Sequence, residues 1–140
     1  MKKKFSTKWK ASKQPRKQRK YLANAGLHLK KKFVSVNLSK DLRKKHAKRN
    51  VPVVKGDVVK IVRGKFKGKQ GKVNKVMLKL AKVFVDKIQV KKQDGSKADV
   101  KLQPSNLQIV ELNLESKTRM KKLGVKKQEK TQEKVKEEKK

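Results

Sequence analysis

The sequence predicts a mainly β fold: a small five-stranded barrel, closed or nearly closed, with a basic N-terminal extension containing short helices and a helical or disordered C-terminal tail. Three observations predict it. Five short β-branched or apolar runs, bounded by turn residues, recur between Val51 and Leu112, within about 60 residues. The stretch from Lys55 to Val76, KGDVVKIVRGKFKGKQGKVNKV, reads strand, glycine-rich basic loop, strand. Charge is uneven: residues 1–50 hold 19 basic residues and one acid, Asp41, while residues 51–110 hold 15 and four. The resulting divisions are 1–50 for the extension, 51–114 for the barrel and 115–140 for the tail.

Composition narrows the partners. In 140 residues, 45 lysines and arginines face 11 acids, a net charge of +34. Self-repulsion at that charge opposes compaction unless a polyanion is bound. Nucleic acid is the first expectation and an anionic membrane surface the second. There is no cysteine, which excludes disulfides, thiol catalysis and cysteine zinc sites. No apolar run approaches the ~20 residues of a membrane span. The N-terminus, MKKKFSTKWKASKQ, is basic without the apolar segment of a secretory signal, which points to an intracellular protein.

Taken in order, residues 1–14 are predicted to be unstructured in isolation. Phe5 and Trp9 sit among Lys2–Lys4, Lys8 and Lys10. That composition suits base stacking beside phosphate; packing of Trp9 on the domain is the equal alternative. Pro15 suits a first helical turn, and RKQRKYLAN continues from it to Asn24-Ala25-Gly26. Its faces carry Arg16, Lys17, Arg19 and Lys20. Leu27 and Leu29 lead into Lys30–Lys32, and Phe33, Val34 and Val36 form an apolar patch expected to dock on the barrel. Ser39 is an N-cap candidate with Asp41 in the first turn, predicting a second short helix, DLRKKHAKR, through Arg49. Arg43, Lys44, Lys45, Lys48 and Arg49 leave it almost no neutral face, so an RNA-facing surface is favoured over solvent.

Val51-Pro52-Val53-Val54 is an extended lead-in, Pro52 marking an edge or a strand start. Val58, Val59, Ile61 and Val62 make the first strand. Arg63, Lys65, Lys67 and Lys69 then alternate through a loop with Phe66, Gly64 and Gly68 and no acid. Glycine allows φ > 0 and close approach of backbone to a partner. Gly71, Val73 and Val76 carry the second strand. Val83-Phe84-Val85, with Ile88 and Val90, gives the third, and Asp94-Gly95 a hairpin turn. Val100 and Leu102 give the fourth, Pro104-Ser105-Asn106 a tight turn, and Leu107 to Leu112 the fifth. Ser116 is placed to cap SKTRMKKLGVKK, with Gly124 interrupting it. Residues 128–140 have spaced charges but no apolar stripe.

A catalytic reading finds little support. Asp57, Asp86, Asp94 and Asp99 are scattered, and His28 and His46 lie 18 residues apart with no carboxylate cluster. No phosphate-binding loop of the nucleotide-hydrolase type is present, and no cofactor is expected. Binding has a mechanism: each phosphate contact releases condensed counterion, so affinity falls steeply with salt. Loop N–H groups in a glycine-rich turn also reach phosphate. A methyl-lysine reader would need an aromatic cage, and only Phe66 and Phe84 lie in the barrel.

Gly56, Asp57, Val59, Arg63, Gly64, Gly68, Gly71 and Val73 resemble the KOW motif, found in ribosomal proteins and transcription elongation factors. The flanks distinguish these. SKQPRKQRKYLAN at 12–24, AGLHLKKKF at 25–33, LSKDLR at 38–43 and RNVPV at 49–53 resemble the large-subunit ribosomal protein twenty-four family, called twenty-six in eukaryotes, in its archaeal and eukaryotic branch. KQDG at 92–95, LQPSN at 102–106 and VELNLE at 110–115 continue the similarity, which covers about residues 12–120 and is closer to archaeal members. Gly26 stands where a proline is expected, and the lysine-rich C-terminal tail has no counterpart.

The resemblance implies an SH3-like barrel on large-subunit rRNA, in a cytoplasmic ribosome. It further implies an early assembly role at the 5′ region of that RNA and a position near the nascent-chain exit, beside other ribosomal proteins and within reach of targeting factors. The preferred RNA contacts are Lys8, Trp9, Lys10, Lys13, Gln14, Arg16, Lys17, Arg19 and Lys20 in the tail and first helix. Next come His28, Lys30, Lys31 and Lys32, then Arg43, Lys44 and Arg49. The loop supplies Arg63, Gly64, Lys65, Phe66, Lys67, Gly68 and Lys69, followed by Gly71 and Lys72. Two rivals are a transcription-associated KOW protein, for which no polymerase-binding domain is evident, and a general nucleic-acid compactor indifferent to shape. The lysine bias fits either a hot habitat or genomic base composition.

Overall fold

Alternate residues of the strands are buried, as the two faces of a pleat require. The structure, a computed structural model, describes residues 12–124. β1 (Ser35–Leu38) buries Val36 and Leu38 and exposes Asn37, and β2 (Asn50–Pro52) buries Val51. β3 (Val58–Ile61) buries Val59 and Ile61, β4 (Gln70–Met77) buries Val73, and β5 (Lys82–Val85) buries Val83 and Val85. β6 (Gln89–Lys91) and β7 (Lys97–Asp99) form a surface hairpin, and β8 (Leu107–Glu111) buries Leu107 and Ile109. These side chains, with Val34, Val53, Ile88, Leu102 and Leu123, make one core. Fully burying each large aliphatic side chain contributes about 1.5–3 kcal/mol.

The strands form a six-stranded sheet in the order β2-β1-β8-β3-β4-β5 and a separate pair, β6-β7. β1 runs parallel to β8, with Asn37 opposite Gln108 and Leu38 opposite Ile109; the other neighbours are antiparallel. The strand-rich character is as expected, but the strands number eight among the described residues and do not close into the five-stranded barrel, closed or nearly closed, that the sequence predicts. The patch at Phe33, Val34 and Val36 does not merely dock on the sheet: its second half is β1. Ile88 and Val90 do not extend the strand of Val83–Val85 either. Lys87 adopts φ 64° between them, which turns the chain, so Ile88 enters the core while Val90 lies exposed in the hairpin. Leu102 meets Val83 through an isolated antiparallel bridge.

Among the described residues, four helices accompany the sheet. α1 (Pro15–Asn24) starts at the predicted proline and buries no residue. α2 (Leu27–Phe33), where the sequence suggests only a lead-in, is a helix with Gly26 at its N-cap, and its Phe33 ring lies 5.9 Å from Tyr21 of α1. α3 (Lys40–His46) is capped by the Ser39 hydroxyl, which accepts from the Leu42 N–H, and carries Asp41 in its first turn. Ala47, in the left-handed region, stops α3 before Arg49. α4 (Lys117–Leu123) has Gly124 at its C-cap, at φ 69°, and the rest of the predicted segment, 125–127, lies outside the described residues. A 3-10 turn, Pro104–Asn106, enters β8.

Candidate nucleic-acid interface

The loop between β3 and β4 is built to hold cations outward. Gly64 and Gly68 adopt φ of 96° and 89°, and an added Cβ at either meets nothing within 4 Å. Their glycine identity therefore serves backbone conformation, not space. The Lys67 N–H donates to the Gly64 carbonyl at 3.0 Å, Gly68 to Ile61 at 2.8 Å and Lys69 to Phe66 at 3.2 Å. These three N–H groups are occupied by carbonyls of the loop and of the end of β3, which leaves the loop's exposed side chains as its free donors. Arg63, Lys65, Lys67 and Lys69 are all exposed. Phe66 is half-buried against the core, and the Lys69 ammonium sits 5.5 Å from its ring centroid. Phe66 thereby anchors the loop and holds one of its cations.

Gly71 plays a different part. It lies within β4, where a Cβ would meet Val85 Cγ1 at 2.7 Å and the Asp86 carbonyl at 2.8 Å. Its bare Cα lets β5 approach. Lys72, the next residue, is exposed and lines a groove that Asp86 and Glu115 also line, so its surroundings are of mixed charge.

The register sorts the other predicted contacts by sheet end. Ile61 pairs with Leu107, so the loop leaves at the end where β8 begins. β1 is parallel to β8 and begins there too, directly after α2. His28, Lys31 and Lys32 are exposed on α2, and the half-buried Lys30 donates to the Ala23 carbonyl at 3.3 Å. Lys13, Gln14, Arg16, Lys17, Arg19 and Lys20 are exposed before and along α1. Arg43, Lys44 and Arg49 lie on the β1–β2 connection, which leaves from the opposite end. Lys44 and Arg49 are exposed there, but Arg43 is half-buried and its Nε donates to the Leu38 carbonyl at 2.9 Å. Part of Arg43 thus serves the fold. Lys8, Trp9 and Lys10 lie outside the described residues.

Sequence reading missed the residues that organise the second end. Asp57, fully buried, receives Arg119 Nη1 at 2.6 Å and Nη2 at 2.8 Å. Its carboxylate also accepts the N–H of Val54 at 2.9 Å and of Asn113 at 2.8 Å. Arg119, 8 % exposed, donates further to the carbonyls of Asn113 at 2.9 Å and Pro52 at 3.4 Å, while its buried Nε has no partner. This bidentate pair fixes α4 to the sheet. Its partners stand 62 residues apart, and the only local signal is an arginine within an otherwise lysine-only run. Among the described residues, no other lysine or arginine is ion-paired with a carboxylate. The exposed cations are therefore not neutralised by carboxylates among the described residues.

Among the acids, Asp94 is held below its ordinary value of 3.8, first by the Ser96 hydroxyl and then by the Ser96 N–H, both donating to its carboxylate. That fixes the β6–β7 turn. Among the described residues there is no cluster of three or more metal-ligating side chains, and no helix is long and apolar enough to cross a membrane.

A strand-rich domain whose two sheet ends both carry unpaired cations belongs to the class of structural polyanion-binding proteins. The family model for ribosomal protein L26 of eukaryotes and its archaeal counterpart, protein twenty-four, matches residues 12–126. The chain belongs to that family, and is accordingly a structural rather than enzymatic component of the large subunit of the cytoplasmic ribosome, with rRNA and other ribosomal proteins as partners.

Proposed function

We propose that this protein grips the 5′ region of large-subunit rRNA early in subunit assembly, at a position near the polypeptide exit. The observation that carries the rRNA grip is the β3–β4 loop: four exposed cations, no acid, and two glycines at positive φ. Arg63, Lys65, Lys67 and Lys69 meet phosphates there, with Gly64 and Gly68 providing the positive-φ turns that display them. The exposed cations of α1 and α2, together with Lys8, Trp9 and Lys10, extend the contact from the same chain. Lys44 and Arg49, with part of Arg43, hold a second RNA segment from the other sheet end. Duplex parts of the RNA are met by shape and phosphate spacing, since the deep major groove of an A-form helix is closed to side chains.

Placement near the exit rests on family resemblance and brings nascent chains and their targeting factors within reach. Filter-binding across a salt series tests the RNA reading. It compares a 5′-region large-subunit rRNA fragment with an unrelated structured RNA of equal length and with duplex DNA. Preference for the rRNA that persists at high salt is expected. Equal, steeply salt-dependent binding to all three would replace this reading with a general compactor acting through its net charge of +34.

A further inference from the structure

A cleft of about 320 Å³ lies between α4, α2 and β2. Its apolar surface comes from Val51, Pro52, Val54 and Leu123, and Lys31, Lys48 and Lys122 also line it. Asn50, Ser116 and Thr118 add neutral hydrogen-bonding groups, and no acid lines it. The contrast is with the neighbouring groove at Lys72, where Asp86 and Glu115 intrude. The size falls within the range of small-molecule sites, and the mixture of apolar surface with a few polar groups is typical of them.

The cleft is held in shape from two sides. Arg119 lines it and is locked by Asp57. Lys48, on the β1–β2 connection, donates from Nζ to the Lys122 carbonyl of α4. That bond uses one of the three ammonium donors and leaves the others for an anion beside Lys122.

We propose that this cleft receives a single unpaired nucleotide of the rRNA, with its base on the apolar surface and its phosphate against Lys31, Lys48 and Lys122. The proposal rests on the rRNA-binding reading above and adds a local site to it. Charge selects the occupant: three lysines and no carboxylate favour a nucleotide over a peptide, whose backbone is neutral. Unpaired nucleotides are also the parts of RNA whose bases are free to leave the stack and be read by hydrogen bonds at their edges, which Asn50, Ser116 and Thr118 supply. The β3–β4 loop, with its cations turned outward, grips the phosphate backbone instead.

The test is base-specific chemical footprinting of the 5′-region rRNA fragment bound to the full chain, wild type against Thr118→Trp. Thr118 is exposed, so tryptophan fills the cleft without removing a cation. The expected result is loss of protection at one or two unpaired nucleotides, with overall affinity falling about three- to thirtyfold and all loop protections kept. A second variant, Lys48→Ala with Lys122→Ala, should lose the same protections and lower the salt slope by about 0.7 for each phosphate no longer neutralised. Retention of every protection in both variants would overturn the proposal while leaving the rRNA reading intact. Protection at those nucleotides that appears only after another ribosomal protein is added would overturn it too, since the added protein and not the cleft would then cover them. Wild-type protein that shows no preference for the fragment would instead defeat the underlying reading.

Discussion

Arg119→Met removes the guanidinium from Asp57 while nearly preserving side-chain length. It abolishes two hydrogen bonds to the Asp57 carboxylate, at 2.6 and 2.8 Å, and those to the carbonyls of Asn113 and Pro52. Asp57 stays fully buried and keeps two N–H donors but loses its counter-charge. Removing one partner of a buried pair typically costs about 3–5 kcal/mol. The Arg119 Nε is already buried without a partner, an existing penalty of about 1–3 kcal/mol that the substitution relieves. The expected loss is therefore ~3 kcal/mol, the low end of that range. With a urea dependence of about 1–3 kcal/mol per molar, the unfolding midpoint falls by roughly 1–3 M. Urea denaturation followed by circular dichroism measures it, together with Asp57→Asn and the double variant. The double variant should lose clearly less than the sum of the singles, because neither change then strands a charge. A midpoint within ~0.3 M of wild type for Arg119→Met, or strict additivity in the double variant, would refute the clamp.

Neutralising Lys65, Lys67 and Lys69 together should flatten the logarithmic salt dependence of rRNA binding by up to ~3 units; an unchanged slope in filter binding would remove the loop from the interface. Gly71→Ala should destabilise by about 1–3 kcal/mol through collision with β5, whereas Gly64→Ala should cost about 1–3 kcal/mol through backbone strain alone. In a double-mutant cycle Val85→Ala should therefore relieve part of the Gly71→Ala cost, the Asp86 carbonyl clash at 2.8 Å remaining, and none of the Gly64→Ala cost. Asp94 has a lowered folded-state pKa, so its contribution to stability is present above pH 3.8 and is lost as pH falls through the lowered value. Ser96→Ala should return the Asp94 carboxyl towards 3.8 in an NMR titration, with a small fall in melting temperature above pH 3.8 that disappears at lower pH.

The period-two runs made the strands around Val59, Val83 and Ile109 readable, and glycine spacing made the β3–β4 loop readable. Those signals are local. β1 escaped because four residues between cationic helices give too short a pattern, and only pairing with its neighbours makes Ser35–Leu38 a strand. α2 escaped because Leu-His-Leu followed by three lysines offers no stripe wide enough to register as amphipathic. The loop cations were found as a group, yet composition could not separate Arg43, partly committed to the Leu38 carbonyl, from Lys44 beside it. Nor could it show that Gly71 serves strand packing while Gly64 serves a turn. Asp57 stood in the sequence as a KOW-motif position and one of several scattered acids, but its structural role depends on Arg119, contributed by α4.

The position of β8 in the sheet has a consequence for how the molecule is made. β8 lies between β1 and β3, so the β1–β2 pair and the β3–β4–β5 unit share no strand pairing until residues 107–111 exist. At about 5–20 residues per second of translation, the wait from Leu38 to Glu111 is roughly 4–15 s. Until then each half, once made, has an open strand edge. The lysines crowded onto both halves then act before any RNA is met, as mutual repulsion that keeps unfinished sheets from pairing with one another.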